Sequence, residues 1–172
     1  MFIWFTVISH QRFNIKGVVL MDQKGFGTNV ICQIGIVVRN IEKTAQAYAD
    51  VFGMDVPNII ITDTEDKAHT KFRGSSTQAR AKLAFFNMGS LSLELIEPIS
   101  EPSTWKEFLD THGEGVHHIA FQVKGMDGVI EYLDGKNIKP VQKGDYTGGR
   151  YAYVDGTESL GVILELLENV VR

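Results

Sequence analysis

The sequence predicts an α+β fold made of two tandem βαβββ units, because one block of sequence occurs twice. The run LELIE at Leu93–Glu97 returns almost unchanged as LELLE at Leu164–Glu168. Each run closes a segment that opens on a similar apolar strand, at Gln33–Val38 in the first half and His118–Val123 in the second. Each segment also contains one stretch with the apolar spacing of a helix. A duplicated supersecondary unit accounts for all three observations.

The first unit is predicted over residues 29–98. Its opening strand is followed by Asn40, a typical helix N-cap, and by a helix with one apolar stripe that Gly53 ends. The remaining polar stretch and the turn at 88–90 predict a strand with a long loop and then two strands. In chain order the predicted segments are strand 30–38, helix 41–52, strand and loop 57–78, strand 79–87 and strand 91–97.

Residues 99–114 are predicted to form a linker with a short helix. Thr104 and Glu107 have the spacing of a capping box, Trp105 lies on the apolar side, and Gly113 is placed to end the helix. The second unit, 115–172, repeats the order of the first. Its predicted segments are strand 116–123, a helix around 126–133, and strands around 140–142, 150–154 and 162–167.

Composition and charge exclude several classes of function. Residues 1–28 are predicted to be an N-terminal extension, with a strand or tail that packs elsewhere as the alternative for the opening residues. Their apolar start is too short for a membrane span and lacks the features of a signal peptide. The net charge of -4 provides no basic surface for nucleic acid or an anionic membrane. Cys32, the single cysteine, indicates a buried thiol in a reducing cytoplasm. We therefore expect a cytoplasmic protein that acts on a small molecule.

Strand alternation predicts that four possible metal ligands share one cavity. Gln33 and His118 point away from the helices of their units, because neighbouring residues in a strand face opposite sides. Glu94 and Glu165 each lie between leucines, so they turn away from the leucine side and line the same cavity if the sheet curls. Four polar residues that were merely exposed to solvent would not be expected at equivalent positions of a repeat.

The other histidines and a group of aromatic residues have different predicted roles. His117 aligns with Cys32 in the repeat, so alternation places it on the packed side and predicts a structural role. His10, His69 and His112 have no equivalent position and are predicted to be exposed. The residues expected to line a substrate pocket are Trp105, Arg150, Tyr151 and Tyr153.

The paired units, the openings QIGIVV and HHIAFQV, and the closing LEL motifs resemble the vicinal oxygen chelate superfamily, especially its glyoxalase I and methylmalonyl-CoA epimerase branch. The resemblance spans residues 30–168. It implies a cup-shaped, curved mixed sheet with helices packed outside, and one divalent metal ion per chain at its centre. It also implies a homodimer, with the site completed either within one chain or across the dimer. The implied ligands are Gln33, Glu94, His118 and Glu165.

Two activities of this branch fit different parts of the sequence. The ligand order Gln, Glu, His, Glu is similar to that of some zinc-dependent glyoxalase I enzymes, whereas methylmalonyl-CoA epimerases typically show His, Gln, His, Glu. The spacing, the long loop of the first unit and the segment around Trp105 look more like epimerase relatives. Epimerases also use a second glutamate base outside the metal shell, for which Glu65 is a distant substitute here.

Both activities abstract a proton next to a carbonyl through a metal-bound enediolate, and this predicts Glu165 or Glu94 as the catalytic base. One nitrogen and three oxygen ligands suit Zn, Ni, Co or Mn. We expect an epimerase-like enzyme, with glyoxalase I (lactoylglutathione lyase)-like isomerisation of a hemithioacetal as the alternative. A non-catalytic binding protein, like the antibiotic-binding relatives, is a further alternative. Ring-cleaving dioxygenases are disfavoured because Gln33 replaces one of their two histidines.

Overall fold

The computed structural model describes residues 25–169 and contains, within that range, one ten-stranded mixed sheet with five helices. The strands are β1 (Gln33–Val37), β2 (Ile60–Ile61), β3 (Lys71–Phe72), β4 (Ser75–Ser76), β5 (Ala81–Asn87), β6 (Ser92–Pro98), β7 (Gly115–Gln122), β8 (Lys139–Tyr146), β9 (Gly149–Asp155) and β10 (Ile163–Asn169). The helices are α1 (Ile41–Phe52), α2 (Glu65–Ala68), α3 (Thr104–His112), α4 (Met126–Asp134) and α5 (Thr157–Leu160). The predicted α+β class with a curled mixed sheet is confirmed. Most of the predicted N-terminal extension lies outside the described residues.

The two halves of the sheet meet at the antiparallel pair β1 and β7. Strand β6 flanks β1 and runs parallel to it, and β10 flanks β7 and runs parallel to it. Along the sheet the order is β2-β5-β6-β1-β7-β10-β9-β8-β3-β4. The opening and closing strands of both sequence repeats therefore lie side by side at the centre of the sheet.

Helices α1 and α4 pack on the outer face of the sheet, one over each half. Asn40 caps α1 by accepting from the Lys43 N–H at 2.8 Å, and Gly53 ends it in the left-handed region at φ 64°. Both helices bury one apolar stripe. The buried cluster at α1 includes Ile41, Ala45 and Ala49 of the helix and Ala84, Phe86, Leu93 and Leu95 of the sheet. The buried cluster at α4 includes Met126, Val129 and Leu133 of the helix and Ala152, Val154, Leu164 and Leu166 of the sheet.

The second glutamate of each repeated run holds the start of the helix in its own unit. Glu97 Oε2 accepts from the backbone N–H of Ile41 at 2.7 Å, at the first turn of α1. Glu168 Oε1 accepts from the N–H of Gly125 and of Met126, at the start of α4. A carboxylate stabilises a helix N-terminus by satisfying free N–H groups. The repeated run thus carries one glutamate for the outer face and one, Glu94 or Glu165, for the inner face.

The linker helix α3 packs on the inner face of the sheet, unlike α1 and α4. Trp105 and Leu109 join a buried cluster with Val37, Ile96 and Tyr153. The cap of α3 differs from the predicted capping box. Ser103 is the N-cap and its Oγ accepts from Lys106 N–H at 3.1 Å, whereas the Thr104 N–H donates to Gln142 Oε1 at 2.9 Å. Gly113 ends the helix as predicted.

The long loop of the first unit connects the two edges of the sheet. Strand β2 pairs with β5 at one edge, while the β3–β4 hairpin pairs with β8 at the other. Residues 62–70 join β2 to β3 and span at most about 30 Å when extended. The edges must therefore curl toward each other, which makes the inner face concave. None of the helices within residues 25–169 is long and apolar enough to cross a membrane.

Candidate metal centre

Three buried side chains converge on the inner face near the middle of the sheet. Glu94 of β6, His118 of β7 and Glu165 of β10 are 5%, 0% and 4% exposed. His118 Nε2 lies 3.1 Å from Glu165 Oε2 and 3.5 Å from Glu94 Oε2. Ligands bound at about 2.0–2.2 Å to one zinc-like ion lie roughly 3.5 Å from each other. The separations therefore match those of ligands that share one cation.

Gln33 completes this group from the first strand. Its Nε2 donates a hydrogen bond of 2.6 Å to Glu94 Oε2. With the amide N–H used in this way, Oε1 is the atom of Gln33 that can ligate a cation. All four predicted ligands are thus brought together, and all four come from one chain.

The electrostatics of the group favour a bound cation. Burial raises the pKa of Glu94 to about 8, repulsion by Glu165 adds to this, and His118 and the Gln33 hydrogen bond oppose it. For His118, burial lowers the pKa, but attraction to Glu165 and Glu94 outweighs burial, so the pKa is raised. His118 Nε2 and Glu165 Oε2 are buried with no hydrogen-bond partner among the described residues. A divalent ion would satisfy both atoms and neutralise the two carboxylates.

His117 lies on the inner side of the sheet, so the prediction that it faces the packed outer side is wrong. The β1–β7 register shifts between Gly35, which pairs with His118, and Ile36, which pairs with Val116. This bulge leaves His117 out of the alternation and turns it the same way as His118. Its Nδ1 lies 3.1 Å from His118 Nδ1. Burial, and then His118, lower the pKa of His117 well below its ordinary value.

A cavity of about 550 Å³ opens onto this group. Gln33, Glu94 and Glu165 line one side of it, and three of the predicted substrate residues, Trp105, Tyr151 and Tyr153, also line it. Trp105 Nε1 donates to the Tyr153 hydroxyl at 3.0 Å, and the ring of Tyr151 stacks on Trp105. Further lining residues that the sequence did not indicate include Ile60, Ile61, Asp63, Leu83, Phe85 and Asp145. They come from the sheet edges, whose closure no local pattern encodes.

Arg150 does not line the cavity, in contrast to the prediction. It precedes Tyr151 on β9 and therefore faces the outer side, where it binds Glu168 and Asp127. Glu65, the distant candidate for a second base, is also outside the cavity lining and accepts from Ser76 Oγ at 2.5 Å.

The remaining predicted residues lie away from the buried group. His69 is exposed as predicted and its Nδ1 lies 2.9 Å from Asp145 Oδ2. His112 is also exposed and stacks on Phe108. His10 lies outside the described residues. Cys32 is half-buried and its Sγ donates to the Ala120 carbonyl, and burial raises its pKa.

Comparison with known proteins supports the family and the fold. A family model for the glyoxalase/bleomycin resistance protein/dioxygenase superfamily matches residues 32–154. The uncharacterized protein YqjC of Bacillus subtilis is 28% identical over 143 residues, which cover 81% of this chain and 92% of that protein. The mitochondrial methylmalonyl-CoA epimerase of Dictyostelium discoideum is 21% identical over 146 residues, which cover 83% of this chain and 80% of that protein.

A solved structure shows the same fold. The crystal structure of methylmalonyl-CoA epimerase from Mycobacterium tuberculosis aligns with a TM-score of 0.59 and 20% identity, covering 88% of this chain and 95% of that one. At this identity the likeness concerns the fold alone.

Proposed function

The chain belongs to the glyoxalase/bleomycin resistance protein/dioxygenase superfamily, and we propose that it is a divalent-metal-dependent enzyme that removes a proton from carbon next to a carbonyl, in the manner of methylmalonyl-CoA epimerase. One observation carries the proposal. Glu94, His118 and Glu165 are buried, lie within bonding reach of one cation and open onto a cavity large enough for a substrate.

Gln33, Glu94, His118 and Glu165 would hold the ion. When bound, it would supply a Lewis acid that draws electron density from the substrate carbonyl and makes the neighbouring C–H more acidic. The donor set of one imidazole nitrogen and three oxygens suits Zn, Ni, Co or Mn.

Glu165 is the better candidate for the general base. Glu94 Oε2 already accepts a 2.6 Å hydrogen bond from Gln33, which restrains that carboxylate. Glu165 lines the same cavity, and its Oε2 has no hydrogen-bond partner within the described residues. By leaving the ion or staying only weakly bound to it, this carboxylate could take a proton from a substrate carbon held in front of it.

The cavity wall suits a substrate with an apolar part. Ile60, Ile61, Leu83 and Phe85 line the side formed by β2 and β5, and the stacked Trp105 and Tyr151 form an aromatic surface. Burying an apolar group there gains about 25 cal/mol per Å². A substrate in which an acyl group is attached to a large carrier would place the acyl group inside the cavity and leave the carrier outside it.

The comparison with epimerases supports this activity over the others. Sequence relatives include the Dictyostelium discoideum enzyme, and the Mycobacterium tuberculosis enzyme has the same fold. Both are named methylmalonyl-CoA epimerase, so methylmalonyl-CoA is the first substrate to test.

One observation favours glyoxalase I-like isomerisation as the second candidate. An epimerase that uses two bases needs a carboxylate on each side of the substrate carbon, but Glu65 is engaged with Ser76 away from the cavity lining. Moving a proton between two adjacent carbons of a hemithioacetal needs only one base on one side. The cluster of Glu94 and Glu165 on one wall meets that requirement.

Deuterium exchange tests the proposal and separates the two candidates. Metal-loaded protein in D₂O is mixed with methylmalonyl-CoA or with the methylglyoxal-glutathione hemithioacetal, with and without a chelator, and the substrate is followed by NMR. We expect chelator-sensitive exchange next to the carbonyl, which Glu165→Gln abolishes. If neither compound nor a wider set of acyl-CoA and hydroxyketone compounds exchanges while one binds tightly, the protein is a binding protein.

A further inference from the structure

We propose that His117 is a positioning residue that fixes the tautomer and the orientation of His118 for metal binding. The inference rests on the proposed function, because it concerns the same metal site. It starts from the contact between the two neighbouring rings, whose Nδ1 atoms lie 3.1 Å apart. Both rings are buried, at 1% and 0% exposure.

The orientation of His118 decides which of its nitrogens ligates. Nε2 faces Glu94 and Glu165, whereas Nδ1 faces His117. A neutral imidazole carries one proton, and the nitrogen without the proton is the one that binds a metal. His118 must therefore carry its proton on Nδ1 when Nε2 binds the ion.

That proton needs an acceptor, because a buried N–H without one costs about 1–3 kcal/mol. Within residues 25–169, the acceptor in hydrogen-bond contact with His118 Nδ1 is His117 Nδ1. When Nε2 of His118 binds the ion, His118 is thus the donor and His117 is the acceptor. The proton of His117 then lies on its own Nε2, a buried nitrogen with no hydrogen-bond partner among the described residues. The backbone of Thr104 is the polar group that favours a protonated His117 ring. Metal-ligating histidines generally have a partner of this kind on the second ring nitrogen.

The ring of His117 is itself held in place from two sides. Phe108 of α3 and Tyr153 of β9 pack on it edge to face, with ring centroids 5.4 and 5.2 Å away. The bulge between β1 and β7 supplies the turn of the backbone that places two successive side chains on the inner face. The linker helix α3 therefore supports the metal site through His117.

Two substitutions separate positioning from packing. His117→Asn keeps an acceptor oxygen near the position of Nδ1 but removes most of the ring that packs on Phe108. His117→Phe keeps an aromatic ring of similar size but has no acceptor. A packing role predicts that the phenylalanine variant resembles the wild type, whereas a positioning role predicts that the asparagine variant does.

The first readout is zinc affinity, measured by competition with a chromophoric chelator and compared with thermal unfolding of the metal-free proteins. We expect His117→Phe to bind zinc about 10- to 100-fold more weakly, and His117→Asn to stay within about threefold of the wild type. We expect the opposite order for stability, because the asparagine variant loses packing. Equal zinc affinity of the wild type and His117→Phe would overturn the inference.

The second readout is ¹⁵N NMR of the zinc-loaded wild-type histidines, which does not depend on the folding of any variant. We expect a proton on Nδ1 of His118 that exchanges slowly with solvent, and an unprotonated Nδ1 on His117. A proton on His117 Nδ1 would overturn this inference but leave the proposed function standing. If the wild type binds no zinc, the proposed function fails together with this inference, so the two failures are distinguishable.

Discussion

The imidazole ring of His118 occupies the space that a side chain at Gly35 would fill. A Cβ atom built on Gly35 would lie 2.0 Å from His118 Cε1 and 2.5 Å from Nε2. The two residues are paired across β1 and β7. Glycine on the first strand therefore makes room for the proposed ligand on the second, and the two sequence repeats depend on each other at this point.

Gly35→Ala should displace the ring of His118 and strongly reduce bound metal. We also expect a loss of stability of about 1–3 kcal/mol, which is typical of overpacking in a buried site. Metal content by mass spectrometry and thermal unfolding measure the two effects.

Gly128→Ala is the matched control, because nothing lies within 4 Å of a Cβ at Gly128 in α4. Alanine is a better helix former than glycine, so this variant should keep its metal and gain up to about 1 kcal/mol of stability. Full metal content in Gly35→Ala would show that His118 is not the ligand.

The four glutamates of the repeated runs should separate into two classes. Glu94→Ala and Glu165→Ala should each lose metal, because both side chains belong to the buried group. Glu97→Ala and Glu168→Ala should keep metal but lose about 0.5–2 kcal/mol of stability, since they satisfy N–H groups at the start of α1 and α4. Equal loss of metal from all four variants would contradict the assignment.

The contribution of Glu168 to stability should depend on pH. The hydrogen bond from Arg150 lowers the pKa of Glu168, burial opposes this, and the N–H groups of Met126 and Gly125 add to the lowering. In the unfolded chain a glutamate has a pKa of about 4.3. Because the folded pKa is lower, the stabilisation is complete above that value and is lost as the pH falls through the folded pKa.

Chemical denaturation of the wild type and Glu168→Gln from pH 7 to pH 3 measures this effect. We expect the difference in unfolding free energy to be largest above about pH 5 and to shrink as the pH falls below about 4. A difference that stays constant over the whole range would show that the charge of Glu168 does not matter.

Substitutions of the β9 neighbours Arg150 and Tyr151 should differ, with Tyr151 affecting substrate binding and Arg150 affecting stability alone. Tyr151→Leu should raise KM for a substrate that shows exchange, because the ring lines the cavity and stacks on Trp105. Arg150→Leu should leave KM unchanged and lower the melting temperature, since its guanidinium binds Glu168 and Asp127 on the outer face. A raised KM for Arg150→Leu would show that Arg150 contacts the substrate, as the sequence predicts.

The repeat and the period of two in strands predict most of what positions the candidate site. They indicate the order of the main strands and helices. They also indicate that Gln33, Glu94, His118 and Glu165 share one face. This succeeds because each of these residues is next to at least one apolar strand residue that packs on the helix side, so its direction follows from local sequence.

The residues that the sequence misplaces depend on contacts between distant segments. His117 is turned inward by a bulge, which arises from the pairing of β1 with β7 rather than from its own sequence. The hairpin of β3 and β4 joins the far edge of the sheet beside β8. The N-cap of α3 is Ser103 rather than Thr104, whose N–H and hydroxyl both donate to Gln142 of the second unit.

The measurement that tests the account most directly is the metal content of the wild-type protein purified without added metal. Elemental analysis after exhaustive dialysis should give about one divalent ion per chain, because the two repeats supply one set of ligands. Glu165→Ala should give much less than one in the same preparation. A wild-type protein that holds no divalent ion, even after incubation with zinc, nickel, cobalt or manganese, would contradict the account.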